Sequence, residues 1–323
     1  MRRARIVTVA QQYQGGPEPE NNRDLMRQLV KRAGAEKPDL ICLPETFLGV
    51  NVSERPLAQV AESVPGPTTD MAAAEAKRLG CYVICPLIVR RGDAYMNESV
   101  LIDRQGQIIG SYAKIHPVVS GAQYREMESG VTPGDTPAVF DTDLGQIGML
   151  ICFDINWPQE WCELKNRGAE IVFWSSAYDG GKHLSIYAWL HHYYVVSAVQ
   201  SQYARIINPM GQVIAATGRH HSIIAETIDL GLGIFHLDFN KSALNEIQNK
   251  YGPDVTLDIW DQEAMFTMVC NRPDLHVADL IDEFALERLD DYIARNTQLQ
   301  DAWREGRPIP DLTPPYLGRV QYP

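Results

Sequence analysis

A cysteine stands where a run of strand-forming residues ends. Residues 148–151 are typical of a buried strand, Cys152 follows them directly, and Pro158 is placed to begin a helix. In open α/β sheets, ligands bind beyond the carboxyl ends of the strands. Backbone N–H groups and a helix start would favour the thiolate, which is the nucleophilic form. Cys152 is therefore a candidate nucleophile, with a buried structural thiol as the alternative for a lone cysteine.

Two charged residues also follow predicted strands. Glu45 comes after the apolar run Leu40–Leu43, where a carboxylate could act as a general base or could simply be a solvated loop residue. Lys114 closes the strand predicted at Ile108–Tyr112. Its ammonium could stabilise an oxyanion or lower the pKa of a thiol, although a lysine at a strand end is often only solvated. Together these residues indicate nucleophilic acyl transfer.

Three ordered motifs give this set of residues a family context. Pro-Glu-Thr-Phe at 44–47, Tyr-Ala-Lys-Ile-His at 112–116 and Ile-Cys-Phe-Asp-Ile-Asn-Trp-Pro at 151–158 resemble the catalytic signatures of the nitrilase superfamily of carbon–nitrogen hydrolases. The turn Thr132-Pro133-Gly134-Asp135 and the hairpin Asn208-Pro209-Met210-Gly211 are also similar to this family. The resemblance covers roughly residues 5 to 230 and implies a four-layer α-β-β-α sandwich.

The resemblance also implies a mechanism. It assigns a catalytic triad to Glu45, Lys114 and Cys152, in which the cysteine forms a thioester and Lys114 with the Phe153 backbone N–H holds the oxyanion. A second glutamate is expected near the lysine. Two residues could provide it, and Glu126 is preferred over Glu128 because its Tyr-x-Glu setting looks closest to relatives. No cofactor or metal is required.

The residues after the nucleophile bear on the substrate. Nitrile-cleaving branches of the superfamily commonly have Cys-Trp-Glu, whereas this chain has Cys-Phe-Asp at 152–154, which looks more like the amidase and carbamoylase branches. Positions 155–157 lack the arginines that hold a substrate carboxylate in D-amino-acid carbamoylases. With Phe153, Trp157 and Tyr178 as substrate-binding candidates, we expect a neutral or apolar amide. A carbamoyl compound, a nitrile, or a non-catalytic oligomeric scaffold are the alternatives.

Composition narrows the range of partners. The chain of 323 residues has a net charge of −12 and a pI near 5.1, which argues against a nucleic-acid partner. No run approaches the roughly 20 apolar residues of a membrane span. Six cysteines in mostly apolar settings fit a reducing compartment, so a cytoplasmic location is expected. Cys81 and Cys85 lack a second pair at zinc-binding spacing, so we expect no metal site.

The pattern of elements predicts two regions. Strands and helices alternate through residues 1–232, including an aromatic helix at Ser185–Val195, and this region is the predicted hydrolase domain. Residues 233–323 are predicted to form a helical and irregular extension with helices at Asn240–Asn249 and Leu280–Asn296. The second of these helices has an apolar stripe that needs a partner, either its own domain or a neighbouring subunit. A homodimer or higher homo-oligomer is therefore predicted.

Overall fold

The computed structural model describes residues 2–121 and 123–317. The strands are, in chain order, β1 (Arg3–Val9), β2 (Leu40–Cys42), β3 (Tyr82–Arg91), β4 (Ala94–Ile102), β5 (Ile108–Ala113), β6 (Val119–Ser120), β7 (Glu126–Met127), β8 (Ala138–Thr142), β9 (Gly145–Ile151), β10 (Ile171–Ser176), β11 (Tyr194–Val199), β12 (Arg205–Ile207), β13 (Val213–Ala216), β14 (Ile223–Asp229), β15 (Gly233–His236), β16 (Val255–Trp260) and β17 (Met265–Cys270). The α-helices are α1 (Pro19–Ala33), α2 (Leu57–Val60), α3 (Pro67–Leu79), α4 (Pro158–Asn166), α5 (Lys182–His191), α6 (Lys241–Tyr251), α7 (Val277–Phe284) and α8 (Leu289–Arg304). Among the described residues, none of these helices is long and apolar enough to cross a membrane.

The first sheet has six strands in the order β14-β1-β2-β3-β4-β5. Its centre is parallel, because β2 pairs in parallel with both β1 and β3, and its β3–β4–β5 side is an antiparallel meander. Helices α1 and α3 cover one face. In α1 the spacing of Met26, Leu29 and Val30 gives one buried stripe, and α3 ends at Gly80 in the left-handed conformation. This sheet places the ends of β2 and β5 at the candidate site.

The second sheet also has six strands, in the order β13-β12-β11-β10-β9-β8. Strands β9, β10 and β11 run parallel, and every residue of β10 and β11 is buried. Such continuous apolar strands are expected where both faces of a parallel sheet are covered. The hairpin between β12 and β13 turns at Gly211, whose φ is +72°. This sheet supplies the ends of β9 and β10.

The two sheets pack face to face, and side-chain hydrogen bonds cross between them. The Thr8 hydroxyl donates to the carbonyl of Ser197 at 2.7 Å, and the Ser175 hydroxyl donates to the carbonyl of Leu43 at 2.9 Å. With α1 and α3 outside the first sheet and α4 and α5 beside the second, the layers are α-β-β-α. The predicted four-layer sandwich is confirmed.

The described residues divide into two compact units, and residues 4–228 form the larger one. The smaller unit contains the antiparallel sheet β15-β17-β16 and helices α6 to α8. The sequence patterns indicated only the helices of this unit. Its own apolar cluster includes Phe235, Ile247, Phe266 and Leu280. The predicted boundary after residue 232 stays a prediction, and the two compact units divide between Ile228 and Asp229.

Two predicted helices differ from the structure. The aromatic helix predicted at Ser185–Val195 is α5, which ends at His191, and Tyr194 already begins β11. The single helix predicted at Leu280–Asn296 is two helices, because Ala285 has a φ of +48° and the chain turns there. A periodic apolar pattern continued through both breaks and concealed them.

The apolar stripe that suggested a neighbouring subunit is largely covered within the smaller unit. Leu280 and Phe284 belong to its apolar cluster, and Ile281 packs against the same cluster. This is the alternative in which the stripe meets its own chain. Ile293, the last apolar residue of the predicted stripe, is 51% exposed, and self-association of the protein stays a prediction.

Candidate active site

Glu45 is a buried carboxylate that follows β2. Its Oε1 accepts hydrogen bonds from Lys114 Nζ at 2.9 Å and from Asn97 Nδ2 at 2.8 Å, and its Oε2 accepts one from the Ala177 N–H at 2.9 Å. The Gln200 side chain holds the Glu45 carbonyl at 2.7 Å. A buried charge is tolerated when it is paired and hydrogen-bonded in this way. Neither Asn97 nor Gln200 stands in a sequence pattern that indicated this role.

Lys114 follows β5 and is only 1% exposed. Its Nζ donates to Glu45 and also to Glu128 Oε1. Burial opposes the charge on the lysine, but the negative groups around it outweigh burial and hold the pKa of Lys114 above its ordinary value. The ammonium is therefore positive throughout the physiological range. The Gly134 N–H donates to the Lys114 carbonyl at 2.8 Å, and only glycine fits there, since a Cβ would lie 2.3 Å from the Ala113 carbonyl oxygen.

Glu128, and not Glu126, meets the lysine. Besides Lys114, the Glu128 carboxylate accepts hydrogen bonds from Asn97 Nδ2 at 3.2 Å and from the Val118 N–H at 3.1 Å. Glu126 lies in β7 and is exposed. The preference for Glu126 is therefore corrected: β7 ends before Glu128, whose φ of +43° redirects the chain toward Lys114. The signal that could have found it is position, since Glu128 is nearer to the Thr132-Pro133 turn.

Cys152 begins a 3₁₀ helix, Cys152–Asn156, immediately after β9. Its φ is +45°, an uncommon conformation for a residue with a Cβ. Strain of this kind costs on the order of 1–3 kcal/mol and is often found at functional sites. The Trp174 indole N–H donates to the Cys152 carbonyl at 3.0 Å, which fixes the turn from the neighbouring strand β10.

The Cys152 thiol is 7% exposed and lies among the charged groups described above. Burial, with the nearby negative charge of Glu45, raises the pKa of the thiol to about 12, while Lys114 and hydrogen bonds with Ser176 and Ala177 act in the opposite direction. This direction is the reverse of the one expected from a strand end and helix start alone. The resting sulfur is therefore a protonated thiol, and an attack needs a base to remove its proton.

The aromatic residues divide into two groups. Tyr187 stacks on Trp161 in the core, so the aromatic pattern of α5 reflects packing for this residue. Tyr178 is 41% exposed, and burial together with the charges of Cys152 and Glu45 raises its pKa to about 12, which places it near the thiol. Trp157 is partly buried and stacks on the His116 ring at 3.8 Å.

Phe153 is the last of the predicted substrate-binding residues. Phe153 is partly buried, and its ring meets Trp157 edge to face at 5.2 Å. Its backbone N–H lies in the first turn of the 3₁₀ helix, where N–H groups have no helical acceptor. Within residues 2–121 and 123–317, no three His, Cys, Asp or Glu side chains are grouped as ligands for a metal ion.

Comparison with known proteins agrees with this fold. The profile of the carbon–nitrogen hydrolase family matches residues 6–233, so the chain belongs to this family, within the nitrilase superfamily. The protein is accordingly a hydrolase of non-peptide carbon–nitrogen bonds.

Individual relatives are distant. The ω-amidase NIT2-B of Xenopus laevis is 24% identical over 241 residues, which cover 68% of this chain and 87% of that protein. A nitrilase of Pyrococcus abyssi is 32% identical over 159 residues, covering 48% of this chain and 58% of the nitrilase. Among solved structures, a mutant of the Nesterenkonia AN1 amidase matches with a TM-score of 0.60 and 20% identity, over 70% of this chain and 90% of the amidase. The structural likeness supports the fold.

Proposed function

We propose that the protein is an amidase that hydrolyses a neutral or apolar amide through a thioester on Cys152. The observation that carries this proposal is the buried Lys114 ammonium, which is shared between Glu45 and Glu128 and lies beside the Cys152 thiol. A nucleophile, a base and a fixed positive charge are the groups that acyl transfer needs.

The first half of the reaction forms the thioester. Glu45 removes the thiol proton as Cys152 Sγ attacks the amide carbonyl carbon, and the carbonyl electrons move onto oxygen. The Lys114 ammonium and the Phe153 N–H stabilise this oxyanion. When the carbonyl reforms, the carbon–nitrogen bond breaks, and Glu45 returns its proton to the nitrogen, which leaves as ammonia. Because burial raises the pKa of the thiol, the proton that Cys152 loses in this step passes to Glu45.

The second half hydrolyses the thioester. Glu45 takes a proton from water as the oxygen attacks the acyl carbon, and the same two donors hold the second oxyanion. The carbon–sulfur bond then breaks, the sulfur regains its proton from Glu45, and the carboxylic acid leaves. Glu128 keeps Lys114 charged and in place through both halves, since its carboxylate accepts a hydrogen bond from the same ammonium that Glu45 binds.

The expected substrate class rests on the groups near the thiol. Tyr178 is an exposed aromatic residue that a substrate could contact. Phe153 and Trp157 form a partly buried aromatic pair. None of the positions 155–157 has a cationic side chain that could bind a carboxylate there. These features favour an uncharged acyl group.

A substrate panel with acid quenching tests the proposal. We expect ammonia release from simple aliphatic and aromatic amides, and more slowly from N-carbamoyl amino acids and nitriles. Acid quenching during turnover should trap an acyl group on the peptide that contains Cys152, detected by mass spectrometry. Ammonia release with an adduct elsewhere would contradict the mechanism. Faster turnover of carbamoyl compounds or nitriles would assign the protein to one of those substrate classes, and no turnover of any class would favour the scaffold alternative.

A further inference from the structure

Asp154 is a fully buried carboxylate two residues after Cys152. Its Oδ2 accepts hydrogen bonds from the Tyr112 hydroxyl at 2.7 Å and from the Ile151 N–H at 2.9 Å. Its Oδ1 accepts one from the His116 N–H at 2.9 Å. All three partners donate, so the site is built for an acceptor-only group, which among these side chains is an ionised carboxylate.

The three donors come from the two segments that hold the proposed catalytic groups. Tyr112 and His116 stand on either side of Lys114, at the end of the first sheet's strand β5. Ile151 directly precedes Cys152, at the end of the second sheet's strand β9. A single carboxylate therefore ties the lysine segment to the cysteine segment, across the interface between the two sheets.

The cysteine segment needs such a restraint. Cys152 has a φ of +45°, and strained residues of this kind persist only when their surroundings hold them. The Ile151 N–H to Asp154 bond closes the turn around Cys152, and the Trp161 indole N–H reaches the Asp154 carbonyl at 3.4 Å. The direction of the Phe153 N–H depends on this turn, because Phe153 lies between Cys152 and Asp154 in the chain.

The ionisation of Asp154 is set by opposing effects. Burial raises the pKa of this carboxyl to about 6, while the hydrogen bonds from Tyr112, Ile151 and His116 and the positive charge of Lys114 lower it. The carboxylate is thus ionised above about pH 6 and accepts a proton below it. A protonated Asp154 would present a hydrogen to one of its three donors and would weaken the connection.

We propose that Asp154, with Tyr112, is a positioning residue that sets the placement of the Lys114 ammonium relative to the Cys152 sulfur and the Phe153 N–H. This inference rests on the proposed amidase function. The pair touches neither the substrate nor the reacting atoms, and it acts by holding the two halves of the oxyanion site in one arrangement. Misplacement of reacting groups by about 1 Å can cost on the order of 100-fold in rate.

The test compares Tyr112→Phe and Asp154→Asn with a matched control, Tyr193→Phe. Tyr193 is as buried as Tyr112, and its hydroxyl donates to the Trp161 carbonyl on α4 at 3.3 Å and not to the Asp154 carboxylate. For amide hydrolysis we expect kcat to fall about tenfold or more in Tyr112→Phe and about 100-fold in Asp154→Asn, with KM changed less than about threefold. Tyr193→Phe should keep the wild-type kcat. Circular dichroism and thermal unfolding establish that each variant is folded.

The pH profile separates positioning from general loss of structure. In the wild-type protein kcat should decline as the pH falls through about 6. Tyr112→Phe removes a hydrogen bond that lowers the pKa of Asp154, so the decline should move to higher pH. An unmoved acid limb, or a kcat in Tyr112→Phe equal to that of Tyr193→Phe, would overturn the inference even if Asp154→Asn does not fold. A wild-type protein that hydrolyses no amide would instead contradict the proposed function and this inference with it.

Discussion

A buried carboxylate in each compact unit is paired with a cation, and the two clusters are built differently. In the larger unit a single ammonium, on Lys114, is shared by Glu45 and Glu128. In the smaller unit the Arg295 guanidinium meets a single acid, Glu287, through Nε at 2.7 Å and Nη2 at 2.9 Å. Both clusters pair opposite charges away from solvent, yet their chemistry differs.

The arginine cluster matches each group with its partners. The planar guanidinium fits one carboxylate with two parallel hydrogen bonds, and the Tyr316 hydroxyl accepts a third hydrogen from Arg295 at 2.7 Å. The lysine cluster is built differently, since acids from two separate segments compete for one ammonium and a thiol lies next to them. Buried ion pairs therefore do not mark function by themselves. The feature that supports the proposed function is the ammonium shared by two acids beside the Cys152 thiol.

The largest expected effect is loss of the nucleophile. Cys152→Ala should lower kcat for amide hydrolysis by at least about 1,000-fold, because the remaining groups cannot form the thioester. Ammonia release measures this loss. Cys162→Ser is the matched control, since Cys162 is an exposed free cysteine on α4 and its variant should keep wild-type activity. Turnover retained in Cys152→Ala would remove the distinction between the two clusters.

The next largest effect is expected at Glu128, and it distinguishes this residue from Glu126, the other candidate for the second glutamate. Glu128→Gln should lower kcat about 100-fold, because the amide can no longer balance the Lys114 charge and one of its hydrogens would face a donor. Glu126→Gln changes an exposed residue of β7 and should stay within about twofold of wild type. Steady-state kinetics on one amide measures both variants. Equal losses in the two would indicate that position beside Lys114 is not what matters.

Loss of the Arg295 cation is expected to change the stability of the protein. Arg295→Met leaves Glu287 buried without its cation and should lower the free energy of unfolding by about 3 kcal/mol. Arg304→Met, on the same helix, removes a largely exposed pair with Asp301 and should cost less than about 1 kcal/mol. Chemical denaturation of both variants gives the comparison. Similar losses would show that the buried pair contributes no more than the exposed one.

The smallest effect concerns pH and the same cluster. Burial lowers the pKa of His236 below its ordinary value, although Glu287 and Asp238 oppose this shift. The unfolded chain therefore binds the proton more readily, so the stabilising contribution of neutral His236 is complete above about pH 6.5 and is lost as the pH falls. In His236→Gln, Tm should decline less steeply between pH 7 and pH 5.5. An unchanged slope would mean that protonation of His236 does not affect the folding equilibrium.

Part of the fold and site follows from local sequence. The apolar runs before Glu45 and Cys152 are buried strands, and the pattern of α1 matches its buried stripe. The side chains at the ends of β2 and β5 meet, because the two antiparallel steps from β3 to β4 and from β4 to β5 return β5 to the direction of β2 and bring both carboxyl ends to one edge. Such patterns are readable because burial imposes a period on residues that are neighbours in the chain.

Other features required long-range information. The choice between Glu126 and Glu128 depends on a hairpin, β6–β7, whose register decides which side chain reaches Lys114. The breaks after α5 and α7 occur at His192 and Ala285, both left-handed, although the apolar pattern continues past them. A histidine or an alanine in the sequence does not indicate a left-handed conformation, whereas a glycine would.

The amino-acid sequence by itself determined the family and the alternation of strands and helices, because motif residues and strand periodicity are local; the four layers were implied by the resemblance to that family. Tertiary structure alone decided how those motif residues behave. Burial raises the pKa of the Cys152 thiol and Asp154 joins the lysine and cysteine segments. The reason is physical: solvent exclusion and hydrogen-bond partners come from strands distant in sequence, and only packing brings them together.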